Sequence, residues 1–118
     1  MQVNGELHTE DRARALAEIE NGNMLLHAEM YKPWDIQRIL GRLYYLIGDY
    51  EGAVPHLVDA KQNLRGASRV ANDRMLIEAY AATGEREKAR KIVMHGVQYG
   101  GQNASAYEEF VDLVNSRE

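Results

Sequence analysis

Histidine and acidic side chains at helical spacing are the residues of this chain that could hold a metal ion or transfer a proton. His56 and Asp59 are three positions apart, so in a helix both side chains would lie on one face. A metal or acid–base site needs further convergent groups, and the sequence supplies none at a suitable spacing. It also has no glycine-rich phosphate loop and no serine–histidine arrangement. We therefore predict no enzyme, no metal site and no cofactor.

The composition is that of one small domain spanning residues 1–118. Hydrophobic residues make up 45% and charged residues 27%, which suits a single core with a solvated outer face. The formal net charge of −4 argues against nucleic acid as a partner, because phosphate contacts require a basic surface. There is no long apolar run, so no membrane span is predicted. The N-terminus lacks the features of a signal peptide, which favours a cytoplasmic location.

Apolar residues recur at helical spacing, which predicts an all-α protein whose elements must position any site. Residues 9–32 are predicted to form an N-terminal helical segment. The stretch from Trp34 to Ala60 predicts two helices joined by a tight turn at Gly48. The second of these helices is expected to end at Gly66.

The sequence repeats itself once, with each residue 36 positions after its match. Identical residue types recur, since Leu40, Tyr44, Gly48 and Ala53 are followed by Leu76, Tyr80, Gly84 and Ala89. Periods in this range are typical of stacked helical hairpins. We predict one hairpin at residues 34–66 and a second at 68–99. Residues 104–116 are predicted as a capping helix that begins with a capping box at Ser105 and Glu108.

The repeated residues resemble the tetratricopeptide repeat (TPR) family. The first copy fills the family's positions with Leu40-Gly41, Tyr44, Gly48, Tyr50, Ala53 and Ala60. The second copy keeps the leucine, tyrosine, glycine and alanine but has Ile77 and Arg86 where the family has glycine and an aromatic residue. The resemblance implies an α-α superhelix, or solenoid, of about two repeats, with the N-terminal segment before it and the capping helix after it.

The same resemblance implies a concave face, lined by the first helix of each repeat, that binds peptides or proteins. The family's ligand-facing positions fall on Asp35, Arg38, Arg42 and Tyr45, then Ala71, Arg74, Glu78 and Ala81, and finally Ser105, Glu108, Asp112 and Asn115. Arginine side chains suit carboxylates, so an acidic peptide is the expected ligand. The competing interpretation is that Arg74 pairs with Glu78 or Glu108 and only keeps the surface soluble.

The leading hypothesis is thus a non-catalytic protein–protein interaction module. A second hypothesis is self-assembly into a homo-oligomer through apolar ends of the stack, represented by Met24, Leu25, Phe110 and Val114. Stacks this short often need caps or neighbours, and the chain could equally be part of a longer TPR protein that supplies them.

Overall fold

The computed structural model describes residues 14, 16–21 and 33–115, together with the backbone of residues 2–3 and 6–7; for residues 33–35 it also describes only the backbone. The helices are α1 (Pro33–Leu46), α2 (Tyr50–Lys61), α3 (Gly66–Ala82), α4 (Arg86–Tyr99), α5 (Ala104–Glu109) and α6 (Val111–Asn115), with a 3₁₀ turn at Gly101–Asn103 before α5. Residues 14 and 16–21 are also helical. The strands β1 (Gln2–Val3) and β2 (Glu6–Leu7) form a short antiparallel ladder. The predicted helical character is confirmed.

The turns after α1 and α3 have the same hydrogen-bond pattern. Gly48 has a φ of 84°, and the N–H of Asp49 donates to Tyr44 O at 2.9 Å. In the second turn, 36 residues later, Gly84 has a φ of 85°, and the N–H of Glu85 donates back to the equivalent tyrosine carbonyl at 2.7 Å. These bonds satisfy carbonyls that the helix end would leave without a partner, and glycine accepts the positive φ without steric cost. Each turn folds the next helix back on its predecessor.

The helices α1 and α2 approach closely because small residues lie where they cross. A Cβ atom added to Gly41 would lie 2.7 Å from Leu57 Cδ2, and Ala53 is fully buried. In the second hairpin the positions equivalent to Gly41 and Leu57 hold Ile77 and Val93, both buried. The residue on the first helix is thus larger than in the first hairpin and the residue on the second helix is smaller, so the space between the two helices is still filled.

In the part of the chain that the structure describes, the core consists of three apolar clusters that follow one another along the sequence. The first joins Ile19 of the N-terminal segment to Ile36, Leu40 and Ile47. The second lies between α1, α2 and α3, around Ala53, Leu57 and Leu76. The third lies between α3, α4 and the C-terminal helices, around Ile77, Ala89, Val93, Tyr107, Phe110 and Val114. Each hairpin is therefore joined to the next by shared core residues, and Asn72 Nδ2 adds a buried hydrogen bond to Leu57 O at 3.0 Å.

Several predicted boundaries are corrected by the structure. The helix α2 ends at Lys61, and Gly66 begins α3 with a φ of 61° instead of closing α2. The capping helix is broken, because α5 ends at Glu109 and α6 begins at Val111. The predicted capping box is wrong, since α5 begins before Ser105 and its N-cap makes no side-chain hydrogen bond.

The predicted apolar ends also need correction. Phe110 and Val114 are buried in the third core cluster and are not exposed end residues. Met24 and Leu25 lie outside the described residues, as does most of the predicted 9–32 segment. The described helices do not combine the length and the apolar composition that a membrane-spanning segment requires.

Candidate functional site

A groove of about 800 Å³ lies between α1, the first half of α3 and the C-terminal segment, which comprises residues 101–115. Its walls are made of arginine, apolar and small side chains with one acidic residue, namely Arg42, Tyr45, Leu46, Ala67, Val70, Ala71, Arg74, Met75, Asn103, Ala106, Glu109 and Phe110. The residues that α3 contributes are spaced by three, one and three positions, so they lie on one continuous face of the helix. They are Ala67, Val70, Ala71 and Arg74. The volume is within the range of ligand-binding clefts.

Four of the predicted ligand-facing residues line this groove together, namely Arg42, Tyr45, Ala71 and Arg74. The others lie elsewhere. Asp35 belongs to α1, but its side chain lies outside the described part of the chain. Arg38 is partly buried and engaged with other groups, and Ala81 is buried. The structure therefore brings the C-terminal half of the α1 set together with the N-terminal half of the α3 set.

Tyr45 is a half-buried residue of α1 that lines the groove. Its hydroxyl donates a hydrogen bond to Glu78 Oε2, and its ring makes an edge contact with Tyr50 at 5.9 Å between centroids. Burial, followed by the hydrogen bond to Glu78, raises the pKa of Tyr45, while the charge of Arg74 opposes that rise. Tyr45 is therefore neutral at physiological pH. Glu78 was expected to pair with Arg74, but its carboxylate accepts the hydrogen bond of Tyr45 instead.

Arg42 and Arg74 supply the positive charge of the groove. Both are exposed, and neither makes a hydrogen bond or an ion pair with another residue in the described part of the chain. A guanidinium has five N–H donors in a planar fork that matches a carboxylate. Within the described residues, neither group has a hydrogen bond or an ion pair that would have to break before it binds an anionic ligand.

The C-terminal segment contributes different residues from those predicted. Ala106 and Glu109 line the groove, whereas Glu108 is exposed and not part of the lining. The break between α5 and α6 and the early start of α5 change which face of this segment meets α3. The apolar lining residues Val70, Met75 and Phe110 were not among the predicted ligand-facing residues. The helical spacing of Val70 relative to Ala67 and Arg74 could have indicated that Val70 lies on the same face of α3.

A second polar cluster lies beneath α3, around the buried carboxylate of Asp73, which is 3% exposed. The hydroxyl of Tyr107 donates to Asp73 Oδ2 at 2.5 Å, and Arg69 Nε lies 3.3 Å from the same oxygen. Lys61 Nζ lies 3.4 Å from Oδ1. Burial, followed by the bond to Asp73, raises the pKa of Tyr107. This cluster joins α2, α3 and α5. Oδ2 of the carboxylate is hydrogen-bonded to Tyr107 and Arg69, whereas Oδ1 has the ion-pair contact with Lys61 but no hydrogen bond among the described residues.

His56 has a packing role. Its ring stacks on Tyr44 at 5.3 Å between centroids, and its Nδ1 donates to Gln37 Oε1. Burial lowers the pKa of His56 despite the opposing charge of Asp59. Within the described residues, no group of three or more histidine, cysteine, aspartate or glutamate side chains could hold a metal ion.

Comparison with protein-family models, with curated proteins and with solved structures finds no match for this chain.

Proposed function

We propose that this chain is a non-catalytic interaction module that binds a short acidic peptide segment in the groove between α1, α3 and the C-terminal helices. The observation that carries the proposal is the position of Arg42 and Arg74, which line a mostly apolar groove and have no hydrogen-bond or ion-pair partner among the described residues. A ligand that pairs a carboxylate with an aliphatic side chain satisfies both features of the groove.

The two parts of this ligand have separate physical roles. The apolar lining, which includes Leu46, Val70 and Phe110, gains from removing an aliphatic side chain from water. The arginine forks provide charge-assisted hydrogen bonds that fix the orientation of the carboxylates. Glu109 adds a negative charge to the C-terminal wall, which disfavours carboxylates at that end of the groove and so gives the bound peptide a direction.

We also propose that the architecture is a solenoid of two TPR-like hairpins with the C-terminal helices as the start of a third. Three observations support this architecture, namely the 36-residue offset, the matching turns at Gly48 and Gly84, and the small residues at Gly41 and Ala53. In such a stack the first helices of successive hairpins lie side by side, which is the arrangement of the groove walls α1 and α3.

A titration with defined peptides tests the proposal. The probe is a fluorescein-labelled hexapeptide of alternating leucine and aspartate, and the counter-probe replaces aspartate with lysine. We expect saturable binding of the acidic peptide, weaker binding at high salt, and no binding of the lysine peptide. Arg42→Glu and Arg74→Glu should each raise the dissociation constant roughly tenfold or more, because a hydrogen bond to a charged group contributes about 1.5–3 kcal/mol.

Matched controls separate groove binding from general charge effects. Arg14 is an exposed arginine on the N-terminal segment, so Arg14→Glu should leave binding unchanged. Ala71→Trp places a bulky ring inside the groove and should block the peptide, whereas Ala82→Trp at the exposed end of α3 should not. Equal binding of both peptides, or full binding to the Ala71→Trp variant, would show that the groove is not the site.

A further inference from the structure

A positively charged cleft lies beside the Asp73 cluster, where the end of α2, the start of α3 and α4 meet. It consists of two adjoining hollows of about 190 Å³ and about 300 Å³, which share Arg69, Asp73 and His95 as lining residues. We call the two hollows together the basic cleft. Its charged side chains are four cations and one carboxylate, namely Lys61, Arg65, Arg69, Lys91 and Asp73. The cleft is thus positive although the whole chain has a formal net charge of −4.

The carboxylate of Asp73 does not cancel this positive charge. One carboxylate offsets only one of the four cations, and its side chain is 4% exposed. The side chains of Lys61 and Arg69, which contact its two oxygens at 3.4 Å and 3.3 Å, are 22% and 29% exposed. A ligand that enters the cleft therefore meets the cations, and the buried carboxylate lies beneath them. Concave surfaces lined by one sign of charge attract ions of the opposite sign.

The two arginines are held in place by backbone carbonyls at the end of α2. Arg65 Nη1 donates to Leu64 O at 2.8 Å and to Gln62 O at 3.2 Å. Arg69 Nη1 donates to Lys61 O at 3.0 Å. The Nη2 group of each guanidinium has no hydrogen bond among the described residues. Each arginine thus has donors left for a ligand, on a side chain whose position is already fixed.

The opposite wall of the cleft belongs to α4. Lys91 and His95 are four positions apart and lie on one face of this helix. Lys91 is exposed and has no hydrogen bond or ion pair with another described residue. At the end of the smaller hollow, the ring of His95 lies 4.9 Å from that of Tyr99, which is 67% exposed. This wall therefore offers a cation and, next to it, an aromatic surface.

The internal repeat does not account for the basic residues of α4. In the first hairpin the positions 36 residues before Lys91 and His95 hold Pro55 and Asp59. The two hairpins thus share the same turns, but only the second has a cation at the first of these positions. Packing of a helical hairpin does not require the charge that Lys91 adds to the cleft.

We propose that the basic cleft binds a phosphate group, either as inorganic phosphate or as part of a small phosphomonoester. A phosphate group has three strong acceptor oxygens and up to two negative charges, so several cations can bind it together, whereas a carboxylate has two oxygens. The larger hollow has the volume of a small ligand cleft, which suits such a compound. Nucleic acid is a poorer fit, because the chain as a whole is acidic. Arg42 and Arg74 do not line this cleft, so the inference is independent of the peptide-binding function.

The test is a titration of the isotopically labelled protein with sodium phosphate, followed by NMR at constant ionic strength. We expect saturable shifts at Arg65, Arg69, Lys91 and His95 at millimolar phosphate. Lys91→Glu and Arg65→Glu should each raise the dissociation constant for phosphate roughly tenfold or more, because each replaces a charged donor by a like charge.

Matched controls separate the cleft from general charge effects and from the peptide groove. Lys88→Glu makes the same change of charge on α4, but Lys88 lines neither hollow, so phosphate binding should be retained. Arg42→Glu should also leave phosphate binding intact, and Lys91→Glu should leave binding of the leucine–aspartate peptide intact. No saturable shifts at the cleft residues, or an equal loss of affinity in Lys88→Glu and Lys91→Glu, would overturn the proposal.

Two further ligands distinguish the sources of the phosphate group. AMP carries a planar base that can stack on an exposed aromatic ring, whereas ribose 5-phosphate lacks it. Tighter binding of AMP than of inorganic phosphate, lost in Tyr99→Ala, would support a phosphomonoester as the ligand. Equal binding of all three compounds would support the free ion. Failure of all three to bind would overturn the assignment of the cleft as a phosphate site.

Discussion

The hydrogen bond between Tyr107 and Asp73 should be one of the most important polar contacts for the stability of the C-terminal segment. Its donor–acceptor distance is 2.5 Å and its acceptor is a buried carboxylate. The other contacts of Asp73 are longer, with Arg69 Nε at 3.3 Å and Lys61 Nζ at 3.4 Å. Tyr107→Phe removes the donor and keeps the ring that packs against Gly96, so no cavity is created.

The expected cost follows from the charge of the acceptor. A hydrogen bond to a charged group contributes about 1.5–3 kcal/mol, so we expect Tyr107→Phe to lower the free energy of unfolding by about 2 kcal/mol. With an unfolding entropy of about 2.1 cal/mol/K per residue, this corresponds to a fall in Tm of about 8 °C for a chain of this length. The measurements are urea denaturation and thermal unfolding followed by circular dichroism.

Tyr99→Phe is the matched control, because Tyr99 is an exposed tyrosine on α4 and its loss of a hydroxyl should change stability by less than about 0.5 kcal/mol. Asp73→Asn provides a second check. In that background the acceptor is neutral, and Tyr107→Phe should cost about half as much as in the original protein. If Tyr107→Phe behaves like Tyr99→Phe, or costs the same with and without the carboxylate, the assigned role of this hydrogen bond is refuted.

Three further perturbations test the fold. Gly41→Ala should destabilise the protein by about 1–3 kcal/mol in urea denaturation, because its Cβ would overlap the side chain of Leu57; an unchanged midpoint would show that α1 and α2 are not in close contact there. Gly84→Ala should cost about 1–2 kcal/mol through its positive φ alone, since nothing lies within 4 Å of the added Cβ; a stabilised variant would contradict the turn. The pKa of His56 is lowered by folding, so the protein should lose stability as pH falls below the unfolded value of 6.5, and His56→Gln should reduce that loss; an identical pH profile in the variant would contradict the burial of this ring.

The repeat was predictable because its key positions have strict steric requirements. Only a residue that tolerates positive φ suits the turns at Gly48 and Gly84, and only a small residue fits where Gly41 meets Leu57. Such requirements leave a visible period in the sequence. The end of α2 was less predictable, because glycine with positive φ is compatible with either a helix C-terminus or, as at Gly66, a helix start.

The candidate site was partly predictable from the resemblance to the TPR family. That resemblance implies Arg42, Tyr45, Ala71 and Arg74 among its ligand-facing positions, and these four residues line the groove. The contribution of Glu109 depends on the break between α5 and α6, which nothing in the local spacing indicates. The commitment of Asp73 to its neighbours is also a tertiary effect. An acidic residue in a helix is usually solvated, and Tyr107 comes 34 residues later in the chain.

The central claim, that the groove between α1 and α3 binds an acidic apolar peptide, is tested most directly by NMR chemical-shift mapping. The leucine–aspartate hexapeptide would be titrated into isotopically labelled protein. We predict saturable shifts at Tyr45, Val70, Ala71 and Arg74, with little change at Met94 and Val97, which are exposed on α4 and do not line the groove. Shifts confined to residues outside the groove, or no shifts at millimolar peptide, would contradict the assignment of the groove as the binding site.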